Sequence, residues 1–264
     1  MKITDGTHKT PKYIDAGIPF LRVTDIQTKD INDSKNVMRF LKNTFIEIRD
    51  DNKSGMQSAL NVLKNTDLRN EIKKIDKSEV AGIKLFLGSS TGKMLIDNLK
   101  AIENIFRSTS LPISAHCEDE QTIKDNTDYY TDLYGEDIPI EIHPKIRSEK
   151  ACFKSSDFAV KLAKKTGARL NVFHISTAKE LNLFDNNIQL KDKNITAEVC
   201  AHHLWFTDDD YKNLGSKIKW NPAIKSQNDR DALWTAINDD RIDIIASDHA
   251  PHTEEEKNNK YLSC

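Results

Sequence analysis

After residue 80 the sequence alternates between short apolar runs and longer runs with helical spacing, and this order constrains the fold more than any other feature. Strands that alternate with helices predict a parallel sheet with covering helices. Five strands are predicted, over Ala81–Gly88, Ile113–Cys117, Ala168–Ser176, Asn194–Cys200 and Ile242–Ser247. Helices are predicted over Asn98–Arg107, Ser148–Thr166, Thr177–Phe184 and Ser226–Asn238. The last strand is almost wholly apolar, which predicts burial on both of its faces.

A β/α barrel closes with eight strands, so up to three more strands are expected in the first 80 residues. Phe45–Ile48 and Ala59–Leu63 are the only candidates there. The predicted fold class is therefore α/β, an incomplete (β/α)8 barrel without a clear first strand. Such a barrel is expected to expose sheet edges and part of its core.

Composition bounds the class of protein. The 264 residues are 38% hydrophobic, enough for one large domain, and the net charge of −2 gives no overall field for nucleic acid or an anionic membrane. No run approaches the 18 or so apolar residues that a spanning helix needs. Four cysteines without CxxC spacing and no apolar N-terminal run predict reduced thiols in the cytoplasm; they are Cys117, Cys152, Cys200 and Cys264.

Side chains able to bind metal stand at the ends of successive predicted strands. His116, His174 and Asp248 each come at or just after such an end, and in a barrel these ends converge on the catalytic face. A single histidine in this position is more often a core residue, but three metal-binding side chains at corresponding strand ends favour a site. Asp248 also opens the string Asp-His-Ala-Pro-His, which ends at His252. For Asp248 alone, capping of the following helix is a structural alternative.

Lys84 lies inside an apolar strand, where an unpaired ammonium is costly to bury. One interpretation is a lysine whose amine reaches solvent from the strand end. The other is an amine with a depressed pKa that takes up CO2, so that the carbamate bridges two metal ions.

Two further segments are weaker candidates. The loop from Gly88 to Gly92 has small residues whose backbone N–H groups suit an anion, but it lacks the P-loop lysine. The strand end from Glu198 to His203 fits metal ligation and a supporting structural role equally well.

With these residues identified, the segment from about 66 to 260 resembles dihydroorotase, of the bacterial single-chain type within the amidohydrolase superfamily. Several strings agree in the order and spacing of that family. They are VAGIKLFLGSSTG, ISAHCEDE, HPKIRSEKACFKSS, LAKKTGARLNVFHISTAKEL, ITAEVCAHHLWF, NPAIK and IIASDHAPHTEEEK. The resemblance implies an amidohydrolase-type barrel.

The resemblance also implies a reaction and a set of site residues. The reaction is reversible hydrolysis of dihydroorotate to N-carbamoyl-aspartate in pyrimidine biosynthesis, with Zn2+ as the cofactor. Lys84 matches the carboxylated lysine, His116 and His174 match metal ligands, and Asp248 matches the aspartate that binds metal and shuttles protons. Asn221 and His252 match substrate-binding positions. The partner is then the small-molecule substrate, and the resemblance leaves a homo-oligomer open.

The sequence departs from the family in its first metal ligands. The family carries His-x-His-x-Arg at the end of the first strand, whereas this chain has no His-x-His, and His8 is its only histidine before Lys84. At most one zinc ion is therefore expected here, against two per chain in the family. The chain also ends at Cys264, where the family continues into a C-terminal segment.

The N-terminal residues suggest a different origin. Residues 1–36 resemble the start of a target-recognition domain of type I restriction specificity subunits, 37–65 form an unassigned connector, and 66–264 form the partial barrel domain. Alternatives to a dihydroorotase-like hydrolase are a non-catalytic degenerate barrel kept as a scaffold, a hydantoinase or allantoinase, and a restriction specificity subunit.

Overall fold

A computed structural model describes residues 2–4, 20–22, 45–48, 82–87, 99–250 and 252–263 of the chain. The predicted strand Ala59–Leu63 and the loop from Gly88 to Gly92 lie outside these residues, as does most of the segment 1–36. Within the described ranges, no helix combines the length and the apolar character needed to cross a membrane.

The strands form parallel pairs, as the alternation of strands and helices predicts. A six-stranded parallel sheet has the order β3-β4-β5-β6-β7-β8, and β1 pairs with β2 in a separate parallel sheet. The strands are β1 (Lys2–Thr4), β2 (Phe20–Arg22), β3 (Phe45–Ile48), β4 (Gly82–Leu87), β5 (Ile113–Cys117), β6 (Leu170–Val172), β7 (Ile195–Cys200) and β8 (Ile244–Ala246). Since chain order equals spatial order, each strand lies next to its successor, as in a β/α barrel.

The described helices follow β4 in the chain, and all but the last lie between strands of the larger sheet. They are α1 (Leu99–Ser108), α2 (Glu120–Tyr134), α3 (His143–Ile146), α4 (Glu149–Thr166), α5 (Ala201–Trp205), α6 (Tyr211–Leu214), α7 (Gln227–Asn238) and α8 (Glu254–Lys257). Short 3-10 turns cover Ile140–Ile142, Glu180–Leu183, Leu190–Asp192, Asp208–Asp210 and Gly215–Ile218.

The longest described helix, α4, has the boundaries that its sequence predicts. Ser148 caps its N-terminus, where the hydroxyl accepts from the backbone N–H of Ala151. Gly167 ends it with φ of 73°, a left-handed conformation in which a Cβ would be strained. One face of the helix, including Ala159 and Ala163, is buried against the sheet. Small side chains of α4 therefore pack directly on the sheet.

The core lies between the sheet and its helices. The strands β4, β5 and β7 contribute fully buried apolar side chains such as Ile83, Ile113 and Val199, and α1 adds Ile105 and Phe106. Burial of each such side chain stabilises the fold by about 1.5–3 kcal/mol. These contacts fix the strand ends that carry the polar residues.

The third predicted strand of the barrel region was too long. The regular strand β6 ends at Val172, and His174 has φ of 40°, which no β-strand accommodates. Cross-strand bonding continues irregularly, because Phe173 N–H donates to Ala115 O at 3.0 Å and Ile175 N–H donates to Glu198 O at 2.7 Å. The chain therefore leaves the sheet at His174.

The predicted helix Thr177–Phe184 is instead the single 3-10 turn Glu180–Leu183. Its side chains bond locally: the Glu180 carboxylate accepts from the Thr177 hydroxyl at 2.9 Å and from the Ser156 hydroxyl at 2.6 Å. These bonds anchor the turn to α4 and compete with regular helix bonding.

Burial of the last strand was also predicted wrongly. β8 spans only Ile244–Ala246, and the exposed fractions of Ile244 and Ile245 are 39% and 58%. β8 is a terminal strand of the described sheet, so its only strand neighbour there is β7. The exposure agrees with the separate expectation of an open sheet edge.

Candidate active site

All six residues predicted from the sequence to form the site line one open cavity of about 90 Å3. They are Lys84, His116, His174, Asn221, Asp248 and His252. The other lining residues are Phe86, Phe173, Lys219, Trp220, Ala250 and Lys257.

The strand ends bring these residues together. Lys84 lies within β4 opposite Ser114, and His116 on β5 lies opposite Phe86. His174 and Asp248 each stand two residues beyond a strand, with φ of 40° and 41°. Left-handed backbone is unusual for residues other than glycine, and such positions often occur at functional sites. The N-cap of the next helix is Thr253, so Asp248 does not cap that helix.

The two histidines meet directly in the buried part of the cavity. His116 Nδ1 lies 2.9 Å from His174 Nε2, and the rings meet edge to face. His116 Nε2 lies 3.1 Å from Glu118 Oε2, and Arg147 contacts the same carboxylate oxygen. Glu118 and Arg147 were not predicted from the sequence. Together they hold His116 so that its Nδ1 faces His174.

Electrostatics favour a neutral His174 and an ionised Glu118. Burial, together with the charge of His116, lowers the pKa of His174 to about 3. Burial alone would raise the pKa of Glu118, but the charge of Arg147 and the contact with His116 outweigh it and lower that pKa to about 2. At neutral pH, His174 therefore offers a nitrogen lone pair, as a metal ligand must.

Lys84 lies between two aromatic rings on the cavity wall. Its Nζ is 4.9 Å from the ring centre of Phe86 and 5.7 Å from that of Phe173, within the range of cation–π contacts. The lysine is partly buried and its charge acts on His174. Both interpretations of Lys84 remain open, since its amine faces the cavity from an apolar strand.

The mouth of the cavity holds the polar groups. His252 is exposed, with Nδ1 3.5 Å from Glu256 Oε2, and Asn221 precedes Pro222 through a cis peptide bond. Two lysines that the sequence did not point to lie beside them. Lys219 Nζ donates to Tyr261 O at 2.6 Å, and Lys257 Nζ donates to Lys219 O at 2.9 Å. The positive charges of Lys219 and Lys257 at the cavity suit an anionic ligand.

The two buried histidines lie close enough to share a metal ion. Two imidazole nitrogens on one tetrahedral zinc lie about 3.3 Å apart, so the pair at 2.9 Å needs only a small separation to share an ion. In the described part of the chain, His174 Nδ1 is buried without a hydrogen-bond partner. Asp248 lines the same cavity, but among the described residues no third His, Cys, Asp or Glu joins the two imidazoles at metal-binding distance.

From the sequence, Glu198 fits a structural role and metal ligation equally well. Its carboxylate accepts from the Asn171 side chain at 3.3 Å, across the neighbouring strands β6 and β7. Asn171 in turn accepts from the Thr196 hydroxyl at 2.9 Å. This network gives Glu198 a structural contact.

Comparison with known proteins finds dihydroorotases among the relatives of this chain. No family model matches the chain. The dihydroorotase of Staphylococcus epidermidis is 31% identical over 187 residues, which are 71% of this chain and 43% of that protein. The dihydroorotase of Halalkalibacterium halodurans is 32% identical over 171 residues, 65% of this chain and 38% of that protein. The chain therefore spans less than half of the length of these relatives.

Solved structures agree on the architecture. L-hydantoinase (dihydropyrimidinase) from Arthrobacter aurescens has a TM-score of 0.64 at 24% identity, and the match covers 72% of this chain and 42% of that chain. A likeness at this identity shows the fold.

The fold and the strand-end residues define part of an amidohydrolase-type β/α barrel. Within that class, the barrel region of the chain is dihydroorotase-like in sequence.

Proposed function

We propose that the chain is a metal-dependent cyclic amidohydrolase whose substrate is dihydroorotate, which it hydrolyses reversibly to N-carbamoyl-aspartate. One observation carries the proposal: four residues that lie in or just after four different strands line the same cavity, namely Lys84, His116, His174 and Asp248. Similarity to dihydroorotases supports this choice among cyclic amides.

The four residues would hold a zinc ion, with Lys84 in its carboxylated form. The ion would polarise the ring amide carbonyl and make water more acidic. Asp248 would accept the proton of the attacking water and deliver it to the leaving nitrogen. Glu118 and Arg147 would orient His116, as the carboxylate partners of metal-bound imidazoles commonly do.

Lys257 and Lys219 would favour an anionic substrate. Dihydroorotate carries a carboxylate, and the arginine that binds it in the family belongs to the His-x-His-x-Arg string that this chain lacks. The two lysines lie beside Asn221 and His252 at the cavity. Replacing Lys257 by methionine should raise KM for dihydroorotate more than it lowers kcat, because the charge acts on substrate binding.

The test is hydrolysis by the full chain after incubation with zinc and bicarbonate. Dihydroorotate should be turned over, whereas hydantoin and allantoin should not, and the Asp248→Asn variant should lose turnover while it keeps its fold by circular dichroism. Turnover of hydantoin alone would overturn the choice of substrate. The proposed location is the cytoplasm.

A non-catalytic scaffold is the second candidate, and the absence of His-x-His from the sequence favours it. A protein that binds zinc without turnover of any of the three cyclic amides would support this role. For residues 1–36, a separate origin in a restriction specificity subunit remains a proposal. Retention of the full chain on DNA, weakened by salt, would support it.

A further inference from the structure

We propose that Cys200, His202 and His203 form a second cation site, for a borderline divalent ion such as zinc, behind the wall of the candidate active site. Cys200 is the last residue of β7, and the two histidines lie in the first turn of α5. One ligand-competent atom of each residue lies within 4.8 Å of those of the other two. The site shares no residue with the set Lys84, His116, His174 and Asp248.

His203 has the hydrogen bonding of a metal-bound imidazole. Its Nε2 lies 3.1 Å from Pro222 O, and because a carbonyl oxygen only accepts, this nitrogen carries the proton. The lone pair is then on Nδ1, which is buried without a hydrogen-bond partner among the described residues. The side chain is almost completely buried. Ligating imidazoles commonly donate their other N–H to a backbone carbonyl.

The ring of His202 is held in place by an aromatic contact. The ring stacks on the indole of Trp220 with centres 4.3 Å apart and planes inclined by 8°. Stacking uses the faces of the imidazole, whereas coordination uses the lone pair in the ring plane, so both contacts can exist together. His202 is only partly buried, which gives an ion a route to the cluster.

Cys200 decides the kind of ion. A thiolate with two imidazoles suits zinc or cobalt and disfavours magnesium and calcium, which prefer oxygen ligands. Sulfur and nitrogen ligands on one tetrahedral zinc lie about 3.5 Å apart, so the cluster must contract slightly to bind. Binding transfers the Cys200 proton to solvent and forms the metal–sulfur bond. The fourth position would remain for water.

The ion would stiffen the wall that faces substrate. Trp220 lines the cavity and stacks on His202, and Pro222 O accepts a hydrogen bond from His203 Nε2–H. An ion on both histidines would therefore fix the segment that carries Asn221.

Cobalt is the probe, because only a thiolate ligand gives it sulfur-to-metal charge-transfer absorption in the near ultraviolet. The metal-free full chain should take up Co2+ with such a band, and X-ray absorption should show sulfur bound to cobalt. The Cys200→Ser variant should lose the band and bind one cobalt ion fewer per chain. The Cys152→Ser variant should keep it, since Cys152 is also fully buried but its Sγ faces the Ser176 hydroxyl at 3.7 Å.

The His174→Ala variant separates this site from the proposed active site: it should lose hydrolysis and keep the charge-transfer band. Absence of sulfur around cobalt in the folded wild-type chain would overturn the proposal, and so would a band that survives Cys200→Ser. If the serine variant fails to fold, the X-ray absorption of the wild-type chain alone decides.

Discussion

Replacing Arg147 by methionine should destabilise the protein by about 3–5 kcal/mol, because a buried carboxylate would lose its charged partner. The side chain of Glu118 is fully buried and that of Arg147 is 11% exposed. Methionine keeps most of the volume of the arginine stem but offers no positive charge to Glu118. The neighbouring His116 compensates only in its protonated form.

The depressed pKa of Glu118 gives a second way to calculate the destabilisation expected for Arg147→Met. The fall from the ordinary 4.5 to about 2, at about 1.4 kcal/mol for each pH unit, corresponds to roughly 3 kcal/mol in favour of the ionised form. This value lies at the lower end of the range from buried ion pairs. In the variant Glu118 can take up a proton and become neutral, and this limits how far the free energy of unfolding can fall.

The measurement is urea unfolding followed by circular dichroism, with a chelator present so that metal binding does not contribute. With an m-value of about 3 kcal/mol/M, the Arg147→Met variant should unfold at a urea concentration lower by about 1 M or more. The double variant Arg147→Met/Glu118→Gln should recover much of the loss, because no charge is then left buried.

The matched control is Arg107→Met. Arg107 pairs with Glu103 one helical turn away; the side chains are 42% and 33% exposed, and Glu103 also contacts Lys165. Exposed pairs contribute only about 0.2–1 kcal/mol. If Arg147→Met costs no more than Arg107→Met, Glu118 does not depend on its guanidinium partner and the reasoning is refuted.

Four further outcomes are expected. The His174→Ala variant should lose zinc affinity and at least about 100-fold in activity, since even supporting partners of metal ligands cost 10–100-fold; unchanged zinc content by mass spectrometry would contradict ligation. The Lys84→Ala variant should lose turnover and regain part of it with added acetate or formate, which supply the missing carboxylate; no rescue in the folded variant would contradict a carbamate at Lys84. Burial raises the pKa of Glu180 above its ordinary 4.5, so its contribution to stability is fully present below pH 4.5 and is lost as pH rises through the folded-state pKa. Relative to wild type, Glu180→Gln should therefore gain unfolding free energy as pH rises, and parallel stability–pH curves would refute this. Gly167→Ala should cost about 1 kcal/mol in a thermal melt, because alanine is strained at φ of 73°; a melt unchanged from wild type would contradict the strained cap.

The sequence predicted the elements whose signal is local. The boundaries of α4 follow from Ser148 and Gly167, which cap the helix through contacts within a few residues. The strand β5 was predicted with its observed boundaries, since the short segment lies between Pro112 and the acidic residues Glu118 and Asp119. The 3-10 turn at Glu180 was missed because it depends on a hydroxyl from Ser156, 24 residues earlier in the chain.

The site shows the same division. His116, His174 and Asp248 could be found because polar residues after apolar strands leave a visible mark in the sequence. Arg147 could not, because it lies in the turn after α3 and meets Glu118 only through the packing of α2, α3 and α4. Lys219 and Lys257 sit in polar segments where lysine is ordinary, and only their bonds to Tyr261 O and Lys219 O bring them to the cavity.

The backbone at His174 and Asp248 shows why strand prediction and site prediction disagree at the same residues. A strand that continued in regular form would alternate these side chains between the barrel interior and the helix layer. The left-handed φ of each residue ends the strand there, in an unusual conformation that costs on the order of 1–3 kcal/mol. The third residue of this kind, Asp240, lies in the turn after α7, where such conformations are common. The two at the cavity lie outside hydrogen-bonded turns, and left-handed conformations of this kind often occur at functional sites. An apolar run in the sequence predicts the strand that leads to the candidate site, whereas the residues of the site lie where the regular strand has ended.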